Sequence, residues 1–327
     1  MVKKGLGRGL NSLSKTTGSP DLSSFISTDE TYVYGDSGSA KAAVFWMIVG
    51  SIAFGTMNAI IKKTEDFDIS VSTIILVRSS VIAGIVYLWA LYYSRPLKII
   101  DRKKMFLRCF TGLTAMFCYF FSLQRIPITQ AVSLQYTAPL FVAIFSGKIL
   151  KEKVPPYVMF CVLIAFIGVT LIVSPEFGKV ETDALFALAS GLGAGLAYIF
   201  VRDLRATDSP AGVVFWFAMF STIVSAPFAI SETILLNLTE LFLLISVGIG
   251  AGIGQIGITL AYQQANAAWI SAFSYTTVLV ASFYGWFYFG EILEFDDYIG
   301  ALLIIITGVS LILLNPNNDT NTEDLRN

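Results

Sequence analysis

Ten apolar runs, most of them long enough for a helix to cross a bilayer, follow one another along this chain with only short polar connectors between them. They lie near 42–61, 70–93, 105–124, 128–147, 155–174, 184–201, 211–230, 241–263, 267–289 and 298–315. A spanning helix takes about 20 residues, and it satisfies every backbone N–H and C=O within itself, which hydrocarbon demands. The runs therefore predict an all-α integral membrane protein of ten transmembrane helices. Composition agrees: only 14% of residues are charged and the mean hydropathy is +0.71, whereas soluble domains carry about a quarter charged. Turn and breaker signals separate the runs, among them Ile126-Pro127, Pro155-Pro156, Asp208-Ser209-Pro210 and the acidic stretch Glu294 to Asp297.

The basic residues predict an orientation. Of the 22 Lys and Arg, Lys62, Lys63, Arg125 and Lys179 fall on one side, and Arg78 and Arg108 fall within spans. The other sixteen share the side of the N-terminus. Positive charge is retained in the cytoplasm, so both termini are expected there, with the chain multi-pass in the plasma (inner) membrane. Residues 1–40 are rich in Ser, Thr, Gly and Asp without helical period, which predicts a disordered cytoplasmic tail rather than a signal peptide. Residues 316–327 are expected to form a second cytoplasmic tail. The stretch Lys3 to Leu13 (KKGLGRGLNSL) resembles the N-terminal peptide of chromosome-partitioning ParB proteins over about eleven residues. Nothing else in the chain does, and a basic tail that holds the N-terminus inside is the preferred reading.

Several chemistries find no residues here. The chain has no histidine, and Cys109, Cys118 and Cys161 sit in apolar runs without metal-ligand spacing. No phosphate-binding glycine loop, nucleophile–base set or cofactor motif appears. The expectation is a non-enzyme without cofactor or metal, partnered by a small-molecule solute and the lipid bilayer and not by nucleic acid; a homodimer is left open.

The chain also matches itself. At an offset of 139, Gln124 falls on Gln263, Tyr136 on Tyr275, Thr137 on Thr276 and Glu152 on Glu291; at 140, Gly55 falls on Gly195, Lys62 on Arg202 and Asp68 on Asp208. Two repeats are expected, 41–175 and 183–315. Each holds five spans, an odd number, so the copies must be inverted relative to each other. Inverted repeats give one scaffold two related conformations, with a substrate site where the repeats meet.

At this point a family resemblance becomes specific. The segments Arg108 to Gln124 (RCFTGLTAMFCYFFSLQ), Ala131 to Leu140 (AVSLQYTAPL), Gly147 to Glu152 (GKILKE) and Gly168 to Val173 (GVTLIV) resemble the EamA branch of the drug/metabolite transporter superfamily. In the second half Ala261 to Ala265, Ser274 to Leu279, Gly290-Glu291 and Gly308 to Ile312 do the same. The resemblance covers roughly 42–315. It implies two five-helix EamA repeats, alternating access and a small organic solute. Arg78 and the Arg108 segment resemble the subgroup with S-adenosylmethionine, riboflavin and carboxylate or amino-acid carriers, although Cys109 stands where that subgroup usually has Gly.

Candidate solute-binding residues follow from their placement. Arg78 lies roughly 12 Å into the second span at 1.5 Å per residue, where a fixed cation needs acceptors: helix-end carbonyls with Gln or Tyr side chains, or an anionic group on the solute. Arg108 is about one turn inside the third span and is expected to snorkel to the interface unless packing turns it inward. Gln135 and Tyr136 precede Pro139, which frees a carbonyl near Gln135 and bends the helix where a cavity would lie. Tyr275 is the repeat mate of Tyr136, and Asn58 and Tyr198 are mates in the small-residue-rich first and sixth spans. Trp269 is expected at the interface or on a cavity wall. No Asp or Glu falls within the assigned spans, so a carboxylate proton relay has no carrier there. Glu152 and Glu291 are expected to cap a following helix or to pair with a base. The function expected is secondary transport of a small organic metabolite. The alternative is a non-transporting scaffold or sensor whose basic tail recruits a cytoplasmic partner.

Overall fold

The computed structural model describes residues 40–64, 67, 69–94, 97–123, 125, 131, 134–173, 182–289 and 294–314. The ParB-like peptide, Gln124, Glu291, the C-terminal tail and the Lys62 side chain lie outside the described residues. Among those described, the chain is helical with no strand. The helices are α1 (Ala40–Thr64), α2 (Val71–Tyr92), α3 (Arg102–Leu123), α4 (Ala138–Ile149), α5 (Pro156–Val173), α6 (Thr182–Asp203), α7 (Pro210–Thr233), α8 (Leu238–Gln264), α9 (Ala267–Ser271), α10 (Thr276–Phe289) and α11 (Phe295–Leu313). Eight helical stretches are long and apolar enough to cross a membrane, counting α9 and α10 as one, while α4 and α5 are apolar but shorter.

Helix starts are written in short polar side chains. Ser70 accepts from the Thr73 amide at 3.2 Å, Ser209 from Gly212 at 3.1 Å, and Asn266 from Trp269 at 3.1 Å. Asn237 and Glu240 exchange side-chain-to-backbone bonds in a capping box that opens α8. Several helices overrun the apolar windows, so Asp203, Glu232, Glu240, Asp296 and Asp297 fall inside helix ends that sequence hydropathy leaves out. A helix continues past the hydrocarbon edge because its polar ends can then be hydrated.

Packing follows the glycines. α1 lies on α8, where a Cβ on Gly257 would meet the Trp46 carbonyl at 2.7 Å and the Gly50 amide at 2.9 Å. α5 lies on α11 through Gly168 and Gly300, whose own Cβ would run into the Gly168 carbonyl. α3 packs on α6, α2 on α7, α10 on α1 and α4 on α6. Small residues allow these approaches, and in lipid the close backbone contact is itself the source of attraction. Large apolar side chains such as Leu88, Phe160, Phe228 and Phe287 project outward. Water would not tolerate that exterior, and hydrocarbon does.

Polar contacts tie the helix ends. Glu232, in the last turn of α7, accepts from the Ser70 amide at 2.8 Å and from the Thr73 hydroxyl at 2.8 Å, securing the start of α2. Asp208 accepts from the Ile100 amide at 2.6 Å and Lys104 pairs with Asp203 at 3.0 Å, docking the approach to α3 onto the α6–α7 corner. Tyr157 donates to the Leu314 carbonyl at 2.7 Å, joining α5 to the end of α11.

Two helices are interrupted at matching places. Tyr136 and Thr137 form a turn before α4, and a 3-10 turn over Ala272–Tyr275 divides α9 from α10. The span expected near 267–289 is present as Ala267–Tyr288, with the 3-10 turn inside it. Pro139 sits in the first turn of α4 with Thr137 as its N-cap, but the second interruption has no proline. Tyr-Thr, common to both sites, marks the break where proline alone does not.

Candidate functional site

A cavity of about 160 Å³ opens between the two halves of the chain. A water needs about 10–15 Å³ on this measure, so the space holds on the order of ten waters or one small organic molecule. Six of the eight candidate residues line it: Asn58, Arg78, Arg108, Gln135, Tyr136 and Tyr198. They come from α1, α2, α3, the turn before α4, and α6, helices distant in sequence that the glycine contacts draw together.

Arg78 is 4% exposed and Arg108 2%. Arg78 is held on the α2 face turned inward, and its NH1 reaches only the Met116 sulfur, at 3.3 Å. Among the described residues, helix-end carbonyls, one of the two acceptors expected, are not among its partners, and its Nε has no hydrogen-bond partner. Arg108 does not snorkel. Its guanidinium folds back over Gly112, one turn along α3, and lies 4.0 Å from the centroid of the Phe217 ring. Its Nε and NH1 are buried without hydrogen-bond partners. A side chain at 112 would collide with the guanidinium and approach Phe217 at 3.0 Å or so, so the glycine makes the inward rotamer available. Arg108-x-x-x-Gly112 was the sequence signal that could have predicted it.

The other walls are amide, hydroxyl and aromatic. Gln135 accepts a hydrogen bond from the Ser190 hydroxyl, tying the α4 interruption to α6. Tyr198 stacks on Tyr262, with centroids 4.9 Å apart and planes at 12°, and lies within electrostatic range of both arginines. Phe54, Met57, Tyr119, Phe120, Gln255, Ser274 and Thr277 complete much of the lining. Among the lining residues there is no Asp or Glu, so neither arginine meets a protein carboxylate in the cavity.

Tyr275 and Trp269 lie outside the lining. The 3-10 turn rotates Ser274 and Thr277 toward the cavity and buries Tyr275 completely against α5, its ring 6.4 Å from Tyr136. Trp269 is neither interfacial nor on the wall. It is 3% exposed, and its indole N–H donates to the Leu311 carbonyl at 3.0 Å, bracing α9 against α11. The local helix type decided which of these side chains point inward.

The EamA-like transporter family profile matches residues 41–174 and again 182–314, nearly the whole helical part of the chain. The chain belongs to the EamA-like transporter family. It is a multi-pass membrane transporter. The pseudopaline exporter of Pseudomonas aeruginosa is 26% identical over 273 residues, which are 83% of this chain and 96% of that one. The riboflavin transporter of Vibrio cholerae is 27% identical over 80% of this chain and 90% of its own. The S-adenosylmethionine uptake transporter of Rickettsia bellii is 22% identical over 65% and 71% respectively. A solved crystal structure superposes with a TM-score of 0.73 at 16% identity, covering 85% of this chain and 99% of the other, which establishes the fold alone. Family and relatives are transporters, in keeping with the lack of catalytic groups in the reading of the sequence.

Within this EamA chain, Trp269 supplies a test of its bracing role. Trp269→Phe keeps most of the buried ring and loses the bond to the Leu311 carbonyl. The expected cost is about 1 kcal/mol of stability, with solute affinity unchanged. Denaturant melts and binding assays on the same preparation check both; a weakened affinity at unchanged stability would put Trp269 back at the site.

Proposed function

We propose that the chain carries a small organic metabolite across the plasma (inner) membrane by alternating access between two inverted five-helix repeats. One observation carries the reading: a cavity lined by apolar walls and a few arginine, amide and hydroxyl groups is built jointly by both halves, at the level of two matching helix interruptions. Discontinuous helices at the junction of repeats are where secondary transporters place solute.

The helix contacts support the inverted arrangement. Exchanging the halves turns the α1–α8 contact into the α6–α3 contact and the α1–α10 contact into the α6–α4 contact; α2–α7 and α5–α11 map onto themselves. That is the pattern of a twofold axis relating the repeats. α4 and α5 would be the two spans too short to qualify on length, giving ten in all. Long-range polar contacts within the chain also join segments that the positive-inside assignment puts on one side: Lys104 with Asp203, Glu152 with Arg202, and Tyr157 with Leu314. The charge asymmetry of the connectors then supports both termini in the cytoplasm.

The solute binds at Asn58, Arg78, Arg108, Gln135, Tyr136 and Tyr198. The relatives are named for pseudopaline, riboflavin and S-adenosylmethionine, all small organic solutes, which supports a solute that is amino-acid-like, carboxylate, S-adenosylmethionine or vitamin-like. Proteoliposomes given a labelled panel of these, under pH or Na⁺ gradients of either sign or with preloaded solute, test the reading. Saturable uptake of one compound is expected, with Asn58→Ala raising KM about tenfold through one lost hydrogen bond. No uptake and no exchange of any compound would refute it.

A further inference from the structure

Resting on the transport reading, we infer that the carried solute is an organic anion with at least two negative charges, seated on Arg78 and Arg108 together. Two arginines, each less than 5% exposed, line one small cavity. Arg78 Nε, Arg108 Nε and Arg108 NH1 are buried without hydrogen-bond partners. The contacts they do have are a thioether sulfur for Arg78 and the Phe217 ring for Arg108. A sulfur is a weak acceptor, and a ring face returns only part of the hydration a guanidinium gives up.

A buried cation without a counter-charge is among the costliest arrangements a protein can hold, and two sharing a cavity also repel each other. Structural arginines are normally saturated by carbonyls or carboxylates. These are not, and their free N–H groups point to an acceptor that arrives with the solute. One carboxylate would leave a net positive charge in a low-dielectric space, whereas two acidic groups neutralise it and offer each fork a bidentate partner. The aromatic rings Tyr119, Phe120 and Tyr198 suit an apolar body between or beside those groups. A dynamic consequence follows. The emptied cavity keeps both bare cations, so its reorientation is disfavoured, and exchange of one dianion for another outruns net uptake.

Glutarate and phthalate serve as probes, with benzoate as the monoanion and glutaramide as the neutral isostere. With the purified full-length protein in non-ionic detergent, the dianions are expected to raise the melting temperature by several degrees at millimolar concentration. Benzoate should do less and glutaramide nothing. Arg78→Gln and Arg108→Gln should each abolish the dianion shift, yet melt a few degrees above the ligand-free parent because a bare buried charge is gone. Arg78→Lys and Arg108→Lys keep the charge without the fork and should retain part of the shift. In proteoliposomes, labelled glutarate should enter at least several-fold faster when unlabelled glutarate is inside.

Equal stabilisation by glutaramide, or loss of several degrees in ligand-free Arg78→Gln and Arg108→Gln, would overturn the dianion site. Carriage of a neutral or cationic solute that neither dianion inhibits would overturn the class while leaving transport standing. Dianion binding without flux or exchange would uphold the site and overturn carriage.

Discussion

Glu152→Gln is expected to lower the unfolding free energy by about 3–5 kcal/mol, the usual result of stripping one partner from a buried ion pair. The Arg202 Nε lies 2.6 Å from Glu152 Oε1, with the two side chains 6% and 13% exposed, so solvent does little to screen them. The second carboxylate oxygen accepts the Ala267 amide at 3.0 Å, and Arg202 NH1 donates to the Gln263 carbonyl at 3.1 Å. Four chain segments therefore meet at one charge pair: the ends of α4, α6 and α8 and the start of α9. Glutamine keeps an acceptor for Ala267 but leaves the guanidinium facing an amide. The double variant Glu152→Gln, Arg202→Met removes the orphaned cation and should be less destabilised than the sum of the two singles, with a coupling of about 1.5 kcal/mol or more. It should not return fully to the parent value, because the Gln263 carbonyl loses its donor. Unfolding titrations of the four proteins measure the cycle, and additive losses would refute the coupling.

Gly257→Ala and Gly84→Ala should have opposite signs although the chemical change is the same. The Cβ at 257 would meet the Trp46 carbonyl oxygen at 2.7 Å and Gly50 Cα at 3.0 Å, all backbone, so no rotamer can relieve it and α1 must move off α8. Overpacking of this kind costs about 1–3 kcal/mol, and Gly257→Val more. Because α1 and α8 contribute Asn58 and Gln255 to the cavity, solute affinity should fall with stability. The Cβ at 84 meets nothing within 4 Å, and there alanine gains up to about 1 kcal/mol of helix propensity. Melting temperatures in one detergent compare the two directly. A neutral Gly257→Ala would mean that the α1–α8 crossing has slack the backbone distances do not show.

Sequence predicts a capping or pairing role for Glu152, and Glu152 has both, but the helix it caps is α9, more than a hundred residues along the chain, and not the one that follows it. The mate Glu291 lies outside the described residues. Sequence spacing alone cannot select a partner fifty residues away in another repeat.

Much of the rest was legible in one dimension, because a bilayer imposes a one-dimensional rule. Apolar runs, charge between them and the match of Tyr136-Thr137 with Tyr275-Thr276 required no knowledge of packing. Arg78 stood out because a cation at its depth has nowhere to hide. The membrane also conceals something. In a soluble helix a polar stripe reveals which face is outward, but lipid is as apolar as a protein core, so the helices here show no stripe to orient them. Rotation about each helix axis was therefore left to close packing at Gly50, Gly193, Gly195 and Gly257. That packing turned Arg108 inward over Gly112, chose Ser274 and Thr277 over Tyr275 for the cavity wall, and buried Trp269 on Leu311. Hydropathy along the chain determined that it enters the bilayer and roughly where. Which side chains meet across the cavity was decided only by the tertiary structure, through backbone approaches that no single segment encodes.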